Sequence, residues 1–248
     1  MARKLYRRFK LLLPERLRDA FSAVNQRLFA RRKIGRKYGS WFDVDWRKHF
    51  RDLSDEEWKK AYDEAWRHRG NECVEETDAE LIVEALGEPG SVLDVGSGSG
   101  ALAIRLAQKG FDVWGVDVSA EAIRQARKRV EDAGVSVRLS EGFAERLPFE
   151  NKKFDYVTCC HTLEHVRDLQ AAVDELKRVA RKVLVVLVPK QKRKTYLENY
   201  HTQFFWKSDD LTSAVNLPAT TIREIDCTDH RNEFQGTAFL LVARLPSR

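Results

Sequence analysis

A run of small residues follows a short apolar segment near the middle of the chain, and it could hold backbone against a ligand. The segment Ser91 to Gly100 reads S-V-L-D-V-G-S-G-S-G. Without a Cβ, its glycines permit tight turns and the close approach of a ligand. A second apolar run, Val113 to Val118, carries Asp117 near its end. A strand, a glycine loop, a helix and an acidic residue ending the next strand are typical of a site for a nucleoside-bearing ligand.

The residue two positions before the first glycine indicates the charge of that ligand. Gly96, Gly98 and Ala101 also satisfy the G-x-G-x-x-G/A spacing of dinucleotide sites, and Asp117 lies about 20 residues further on. Asp94 separates the alternatives, because a pyrophosphate needs neutral backbone amides rather than a carboxylate. An anion at this place favours a positively charged ligand, such as S-adenosylmethionine with its ammonium and sulfonium groups.

The segment His161-Thr-Leu-Glu164-His165 could also do chemistry. It matches H-x-x-E-H, in which two histidines of one helix face bind zinc and the glutamate acts as a base. Here the segment follows a predicted strand, and the structural context that confirms a zinc site is absent. We therefore expect no metal, and hydrogen-bonding roles for Glu164 and His165.

The elements that must position these residues are a series of short apolar, β-branched runs that alternate with helical patterns. The predicted strands are Ser91–Val95, Val113–Val118, Val135–Leu139, Phe154–Cys159 and Lys182–Val188. The predicted helices are Leu102–Lys109, Ala120–Ala133 and Leu169–Val179. After Pro189 come a helix over Asp209–Val215 and two strands, Thr220–Cys227 and Thr237–Leu245. This alternation predicts an α/β fold with a doubly wound parallel sheet and a closing antiparallel pair.

Four segments of this region follow one another in a fixed order. They are V-L-D-V-G-S-G-S-G, V-W-G-V-D-V-S, A-E-R-L-P-F and F-D-Y-V-T-C-C-H-T-L-E-H-V. Together they resemble the class I S-adenosylmethionine-dependent methyltransferases, in particular the small-molecule group, over about Glu80 to Leu245. The resemblance implies a methyltransferase with a Rossmann-like, seven-stranded, mostly parallel sheet and an antiparallel final strand, preceded here by an N-terminal helical extension.

The resemblance also implies how the cofactor is bound. Asp94 and the loop from Gly96 to Gly100 take the methionine end, Asp117 the ribose hydroxyls, and Phe143 to Glu145 the adenine. Phe143 stands where the family usually has an acidic residue, so we expect stacking, a backbone contact or a plain core position there. His161 is placed near the methyl group, as a general base or an acceptor-positioning residue. The predicted cofactor residues are Asp94, Gly96, Ser97, Gly98, Gly100, Asp117, Val118, Phe143, Ala144, Glu145 and Cys160.

The acceptor is the open question of the sequence. Methyl transfer from a sulfonium is an in-line displacement, so the protein aligns the reactants and removes a proton if the acceptor is a hydroxyl. The N-P-P-Y-like motif of exocyclic-amine methylators and the Pro-Cys pair of pyrimidine C5 enzymes are absent after the fourth strand. We expect a small-molecule, lipid-linked or glycan-linked acceptor; the alternatives are an RNA methyltransferase and a cofactor-binding interaction module without catalysis.

The positive charge of the chain is concentrated in its first 40 residues. They hold 13 of the 44 Lys and Arg residues but only two of the 38 acidic ones, a net charge of +11, so the remaining 208 residues carry −5. A basic amphipathic helix of this kind can lie on an anionic membrane surface. Packing on its own domain or on a second subunit, nucleic-acid binding and a transit peptide are the alternatives. The helical spacing rests on Leu5, Phe9, Leu12, Leu17, Phe21, Val24 and Leu28.

Residues 41–78 form a helical cap segment rich in aromatic residues, before the predicted methyltransferase domain of residues 79–248. Ser54 and Glu57 make a capping box, which predicts a helix from Ser54 to about His68. Trp58, Tyr62 and Trp66 share one face of that helix. Helices before the first strand often cover the acceptor site in the resembling family, so this face lines an acceptor pocket or packs in the core.

Cysteine usage and hydropathy bear on the compartment. The four cysteines form no C-x-x-C pair, and the adjacent Cys159 and Cys160 are poor disulfide partners. The longest apolar stretch, Val183 to Val188, is far shorter than a membrane span, and no secretory signal is recognisable. We expect reduced cysteines and a cytoplasmic protein, which would lie peripherally on the inner membrane surface if the basic arm binds membrane rather than one of its alternatives.

Overall fold

The computed structural model describes residues 49–69, 76–193, 200–227 and 236–246, with Pro14 and Leu17 as isolated positions. The predicted basic arm over residues 1–40 therefore lies outside the described residues, apart from those two. So do Trp41 and Trp46 of the cap segment and Cys73. Four basic residues follow Pro189, namely Lys190, Lys192, Arg193 and Lys194, and the last of them also lies outside the described residues.

A seven-stranded sheet in the order β3-β2-β1-β4-β5-β7-β6 forms the centre of the described chain. Its strands are β1 Ser91–Val95, β2 Asp112–Asp117, β3 Val137–Glu141, β4 Phe154–Cys160, β5 Ala180–Pro189, β6 Ala219–Asp226 and β7 Thr237–Arg244. The first five strands are parallel, and β7 is antiparallel to both β5 and β6. The predicted fold is thus confirmed. The strand order reverses between β1 and β4, where α/β sheets open a crevice for ligands.

Helices flank this sheet, and most of them begin where the sequence predicts. They are α1 Asp55–Arg69, α2 Glu76–Leu86, α3 Ala101–Gln108, α4 Ala120–Asp132, α5 Leu169–Val179 and α6 Ser208–Val215, with a single 3₁₀ turn at Leu163–His165. Ser119 caps α4 by accepting from the Ala122 amide at 3.1 Å, and Asp168 caps α5 by accepting from the Ala171 amide at 3.1 Å. The capping box before α1 is also present, since the Ser54 amide donates to Glu57 at 2.8 Å.

Two apolar layers hold the helices on the sheet. Val173 and Leu176 of α5 pack on one face, and Ile82 of α2 and Leu106 of α3 pack on the other. Every residue of β4 is buried, as expected of a central strand covered on both faces. α2 runs across residue 78, where the sequence analysis divides the cap segment from the cofactor domain. In the described part of the chain, no helix is long and apolar enough to span a membrane.

Two strand starts differ from the sequence prediction by two residues. β3 begins at Val137 rather than Val135, because the Val135 amide donates to Val130 O and so closes the end of α4. β5 begins at Ala180, two residues before the apolar run. Its first exposed side chains, Arg181 and Lys182, are held by ion pairs with Asp155 on the neighbouring strand. Polar residues therefore extend a strand whose hydrophobic pattern starts later.

Candidate functional site

A cavity of about 620 Å³ opens at the carboxyl ends of the central strands. Gly96 of the glycine loop, Asp117 at the end of β2 and His161 after β4 all line it, together with aromatic rings of α1. Part of this volume is open to solvent, and its place is the crevice that the strand order creates. The cavity therefore brings part of the predicted cofactor set together with the predicted catalytic residue His161.

The glycine loop is fixed to β2 and runs directly beneath two side chains. The amides of Gly96 and Ser97 both donate to Val116 O, at 2.7 and 3.0 Å. Gly96 has φ +72°, and a Cβ there would collide with the Thr162 side chain. A Cβ on Gly98 would lie 2.8 Å from the ring of Trp66. The loop thus needs glycine for its left-handed backbone and for these close approaches.

Asp117 connects the loop to the second strand. Its carboxylate accepts from the Gly98 amide at 2.9 Å and from the Ser119 amide at 2.9 Å. Each oxygen keeps a second lone pair that a ligand hydroxyl can use. Burial raises the pKa of Asp117 to about 6, against the lowering effect of these amides.

Asp94 lies beneath the loop rather than on the cavity wall. The Thr158 hydroxyl donates to its carboxylate at 2.8 Å, and the side chain is buried. Burial raises the pKa of Asp94 to about 7. The hydrogen bond from Thr158 lowers this pKa, and the nearby charge of Asp117 raises it. Within the described residues no basic side chain pairs with Asp94. A cationic ligand above the loop would stabilise its charged form.

The predicted adenine segment lines the cavity as well, at residues 143–145. The guanidinium of Arg146 lies 3.9 Å from the centre of the Phe143 ring. Glu145 accepts from the Arg167 amide at 2.9 Å, which ties this segment to the start of α5. One face of Phe143 is therefore covered by protein, and its predicted stacking on adenine stays a prediction.

His161 stands at the end of β4 between two buried carboxylates. It has φ +50°, a rare value for a residue with a side chain, and its amide donates to Leu187 O at 2.8 Å. Its Nδ1 is 3.5 Å from Oε1 of the buried Glu164. One of its ring nitrogens also lies within 4.8 Å of ligand atoms of Asp78 and Cys227. The strained backbone holds the imidazole at the cavity wall.

Several predicted cofactor residues do not line the cavity. Gly100 instead begins α3 with φ +82°, and Cys160 is buried with a thiol pKa raised well above its usual value by burial. The Ser97 hydroxyl faces Gly115 of β2, and among the described residues it has no hydrogen-bond partner. Gly98 does not line the cavity either, but its amide donates to the Asp117 carboxylate. Val118 lines the cavity directly. The roles of these residues toward a cofactor stay predictions.

α1 forms the roof of the cavity, although its sequence predicts only an acceptor pocket or a core position and no place in the cofactor site. Trp58, Tyr62 and Trp66 all line the cavity, and Trp58 and Tyr62 are also buried. The Tyr62 hydroxyl donates to His165 O at 3.0 Å. Asp63 accepts from Ser119 at 2.6 Å and thereby joins α1 to the start of α4. The aromatic stripe therefore both lines the cavity and packs in the core, and its contact with an acceptor stays a prediction.

Thr162, His165 and Tyr200 also line the cavity without having been predicted as site residues. His165 stacks on Tyr200 with ring centres 4.6 Å apart. Tyr200 follows the fifth strand by eleven residues, so no local spacing connects it to His165. Its only signal in the sequence is its place in an aromatic run after Pro189.

The charges around the cavity fit the cofactor that the sequence implies. Asp117 and Glu145 are its acidic lining residues, and no lysine or arginine is among the described residues that line it. A pyrophosphate would find no positive partner on these walls, whereas an ammonium or sulfonium group would. The glycine loop and the acidic walls thus fit S-adenosylmethionine better than a dinucleotide.

Comparison with known sequences points in the same direction. Residues 92–182 match the family model of a methyltransferase domain. The uncharacterized methyltransferase YcgJ of Bacillus subtilis is 37% identical over 89 residues, which cover 36% of this chain and 35% of that protein. A ubiquinone biosynthesis O-methyltransferase of Klebsiella pneumoniae is 37% identical over 91 residues, 36% of this chain and 38% of that protein. The matches thus span little more than a third of the length of these curated relatives.

Solved structures extend the likeness to most of the described fold. The crystal structure of YcgJ from Bacillus subtilis has a TM-score of 0.58 at 16% identity, covering 70% of this chain and 100% of that one. An S-adenosylmethionine-dependent methyltransferase from Methanosarcina mazei has a TM-score of 0.58 at 21% identity, covering 68% of this chain and 98% of its own. At such identities the similarity is one of fold.

Proposed function

Because the chain contains a class I S-adenosylmethionine-dependent methyltransferase domain, we propose that the protein methylates a small-molecule, lipid-linked or glycan-linked acceptor in the cavity beneath α1. The observation that carries this proposal is the shared cavity of Gly96, Asp117 and His161. The glycine loop, which would bind the cofactor, and His161, which can take up a proton, line the same cavity.

In this proposal the chain itself aligns the reactants and handles one proton. When bound, S-adenosylmethionine supplies the methyl group. Asp94 and Asp117 hold negative charge under and beside the glycine loop, and α1 excludes water from above. His161 turns Nδ1 toward Glu164, so Nε2 is the nitrogen that takes the proton of an acceptor hydroxyl. Glu164 then stabilises the imidazolium.

The walls around His161 favour an acceptor with an uncharged, flat portion. Five aromatic side chains line the cavity, and they offer ring faces for stacking. Those residues are Trp58, Tyr62, Trp66, Phe143 and Tyr200. The absence of lysine and arginine among the described lining residues disfavours a phosphate at the reacting end of the acceptor.

Isothermal titration calorimetry tests the cofactor first. We expect the intact chain to bind S-adenosylhomocysteine at one site and to leave NAD unbound. Tryptophan fluorescence should report the same event, because Trp66 lies against Gly98. Binding of NAD without S-adenosylhomocysteine would overturn the proposal. Transfer of a radiolabelled methyl group into fractionated small-molecule, lipid and RNA extracts would then identify the acceptor class.

We further propose that the basic arm brings the protein to anionic membrane surfaces, where a lipid-linked acceptor would be found. The support is the net charge of +11 over residues 1–40 and their apolar periodicity. Co-sedimentation with anionic liposomes should retain the intact chain and release a chain that begins at residue 41. Neutral liposomes are the matched control. Equal partition of both chains on anionic liposomes would contradict a membrane role for the arm.

A further inference from the structure

Three potential metal ligands converge beside the cavity, and one of them comes from a distant part of the chain. One ligand atom each of Glu164, His165 and His201 lie within 4.8 Å of one another. Glu164 is buried and both histidines are half-buried. We propose that these three residues form a binding site for a divalent transition-metal ion, which the sequence analysis did not expect.

Backbone hydrogen bonds hold the two contributing segments together. The amides of Thr202 and Gln203 both donate to Glu164 O, at 2.7 and 3.1 Å. The Thr202 hydroxyl donates to Val166 O at 2.6 Å. The segment that carries His201 is therefore fixed across the turn that carries Glu164 and His165. A site whose ligands are positioned by backbone contacts does not have to be assembled by the ion.

A hydrogen bond orients His201 in the way that is common among metal-binding histidines. His201 Nδ1 is 2.7 Å from Gln191 Oε1, and an amide oxygen can only accept. Nδ1 therefore carries the proton, and Nε2 carries the lone pair that a metal needs. A hydrogen bond of this kind on the other ring nitrogen is the common arrangement of metal-binding histidines. His165 is fixed by stacking on Tyr200, with its ring edge-on to His201 at 4.8 Å.

Glu164 provides an independent indication of a missing ligand. Its side chain is 2% exposed, and Oε2 has no hydrogen-bond partner among the described residues. Oε1, in contrast, faces His161 at 3.5 Å. A buried carboxylate oxygen without a partner is costly, and a bound cation is one way to satisfy it. The unsatisfied atom belongs to the same residue that completes the ligand cluster.

The ligand set indicates which ions the site would take. Two imidazoles and a carboxylate suit Zn²⁺, Fe²⁺, Mn²⁺ or Co²⁺ better than Mg²⁺ or Ca²⁺, which prefer oxygen. Bonds of about 2.1 Å place two ligand atoms at most about 4.2 Å apart. The cluster therefore needs only a small closing movement. His165 also lines the cavity, so an acceptor oxygen could complete the coordination, a role that rests on the proposed function.

The proposed site differs from the H-x-x-E-H arrangement of zinc hydrolases. In that arrangement both histidines of the motif bind the ion. Here His161 belongs to a second group with Asp78 and Cys227, and His201 takes its place beside Glu164 and His165. The second group contains a thiol, so the two candidate positions have different spectra when a coloured ion is bound.

Cobalt titration of the intact, chelator-treated chain without a polyhistidine tag tests the site. We expect saturable binding of one Co²⁺ with visible d–d bands and no thiolate charge-transfer band in the near ultraviolet. Glu164→Gln and His201→Gln should each weaken binding at least about 100-fold, since even outer-shell changes cost 10–100-fold. Zn²⁺ should displace the Co²⁺ and bleach the bands.

Two matched variants keep the test decisive. His68→Gln removes a half-exposed histidine of α1 that pairs with Glu64, and Cys227→Ser removes the thiol of the second group. Both should bind Co²⁺ like the parent chain. Parent-like affinity of His201→Gln, or loss of binding in Cys227→Ser, would overturn the assignment. Circular dichroism and S-adenosylhomocysteine binding show whether each variant is folded, so failure of the metal site is separable from failure of the methyltransferase proposal.

Discussion

The two sides of the cavity are built in different ways. The loop side consists of β1, the glycine loop and β2, and it is contiguous in the sequence from residue 91 to residue 117. The cap side consists of α1, residues 161–167 and residues 200–203, which are far apart in the chain. The loop side is held by backbone hydrogen bonds within one contiguous segment and by buried carboxylates. On the cap side, backbone hydrogen bonds join residues 200–203 to Glu164, and aromatic contacts and ion pairs hold α1.

This difference suggests that cofactor binding and acceptor binding tolerate change unequally. On the loop side the backbone cannot easily move to accommodate a substitution, because the amides of Gly96 and Ser97 both donate to the same carbonyl of β2. On the cap side a substitution changes contacts between aromatic rings and half-exposed side chains, and these side chains can repack around the new residue. The loop side should therefore respond steeply to single changes and the cap side gradually.

Gly96→Ala should have the largest effect. Alanine at φ +72° is strained, and its Cβ would collide with Thr162. We expect S-adenosylhomocysteine binding to weaken at least about 100-fold, as a displaced loop no longer fits a ligand. Gly134→Ala is the matched control, since Gly134 has φ +65° and nothing within 4 Å of its Cβ. It should cost about 1 kcal/mol of stability and leave calorimetric affinity unchanged. Similar affinities of the two variants for S-adenosylhomocysteine would contradict the claim that a steric collision at Gly96 prevents ligand binding.

Asp94→Asn should have the next largest effect, and the effect should depend on pH. The pKa of Asp94 is raised to about 7, and a cationic ligand favours the charged carboxylate. Affinity for S-adenosylmethionine should therefore rise about 10-fold between pH 6 and pH 8 in the parent chain. Asp117, with a pKa raised to about 6, adds to the rise at the acid end. In Asp94→Asn the rise should shrink, and affinity at pH 8 should be about 10-fold lower.

The Asp94 carboxylate also makes the stability of the ligand-free protein depend on pH. This stability falls as pH rises, whereas the affinity for S-adenosylmethionine increases. A folded-state pKa raised from 3.8 to about 7 favours folding below pH 4, and that contribution is lost as pH rises through 7. Urea unfolding should show Asp94→Asn to be more stable than the parent at pH 8, by on the order of 2 kcal/mol, and no more stable at pH 4. A pH-independent difference would mean that Asp94 is not the titrating group.

The sequence predicted the loop side in detail because its signals are local. Asp94, the glycines and Asp117 are read from spacing within one strand–helix–strand unit, and the strands and caps there are confirmed within two residues. The cap side could not be predicted in this way. His201 meets His165 only because residues 200–203 cross the turn at residues 163–166, a tertiary contact without a sequence period. The H-x-x-E-H spacing even suggested His161 as the partner of His165.

Asp63→Ala should have a moderate effect, because Asp63 joins α1 of the cap side to the start of α4, directly after the loop side. Its carboxylate accepts from the Ser119 hydroxyl at 2.6 Å and from the Glu121 amide at 3.1 Å, at the start of α4. We expect a loss of about 1 kcal/mol in urea unfolding, as for other helix caps, with about threefold weaker S-adenosylhomocysteine binding as α1 loosens. Asp168→Ala removes a cap within α5 alone and should cost similar stability without the change in affinity.

Asp55→Ala should have the smallest effect, although its ion pairs are the most conspicuous on the cap side. Asp55 pairs with Arg146 and Arg167, and the hydrogen bond from Arg167 is the main cause of its lowered pKa. The carboxylate is half exposed, so we expect a loss of only about 0.5 kcal/mol, which disappears in 1 M salt. Asp174→Ala, which breaks an exposed pair with Lys177 on α5, should behave alike in urea unfolding. A loss of several kcal/mol would mean that ion pairs rather than the rings of Trp58 and Tyr62 hold α1 in place, and the contrast between the two sides would have to be redrawn.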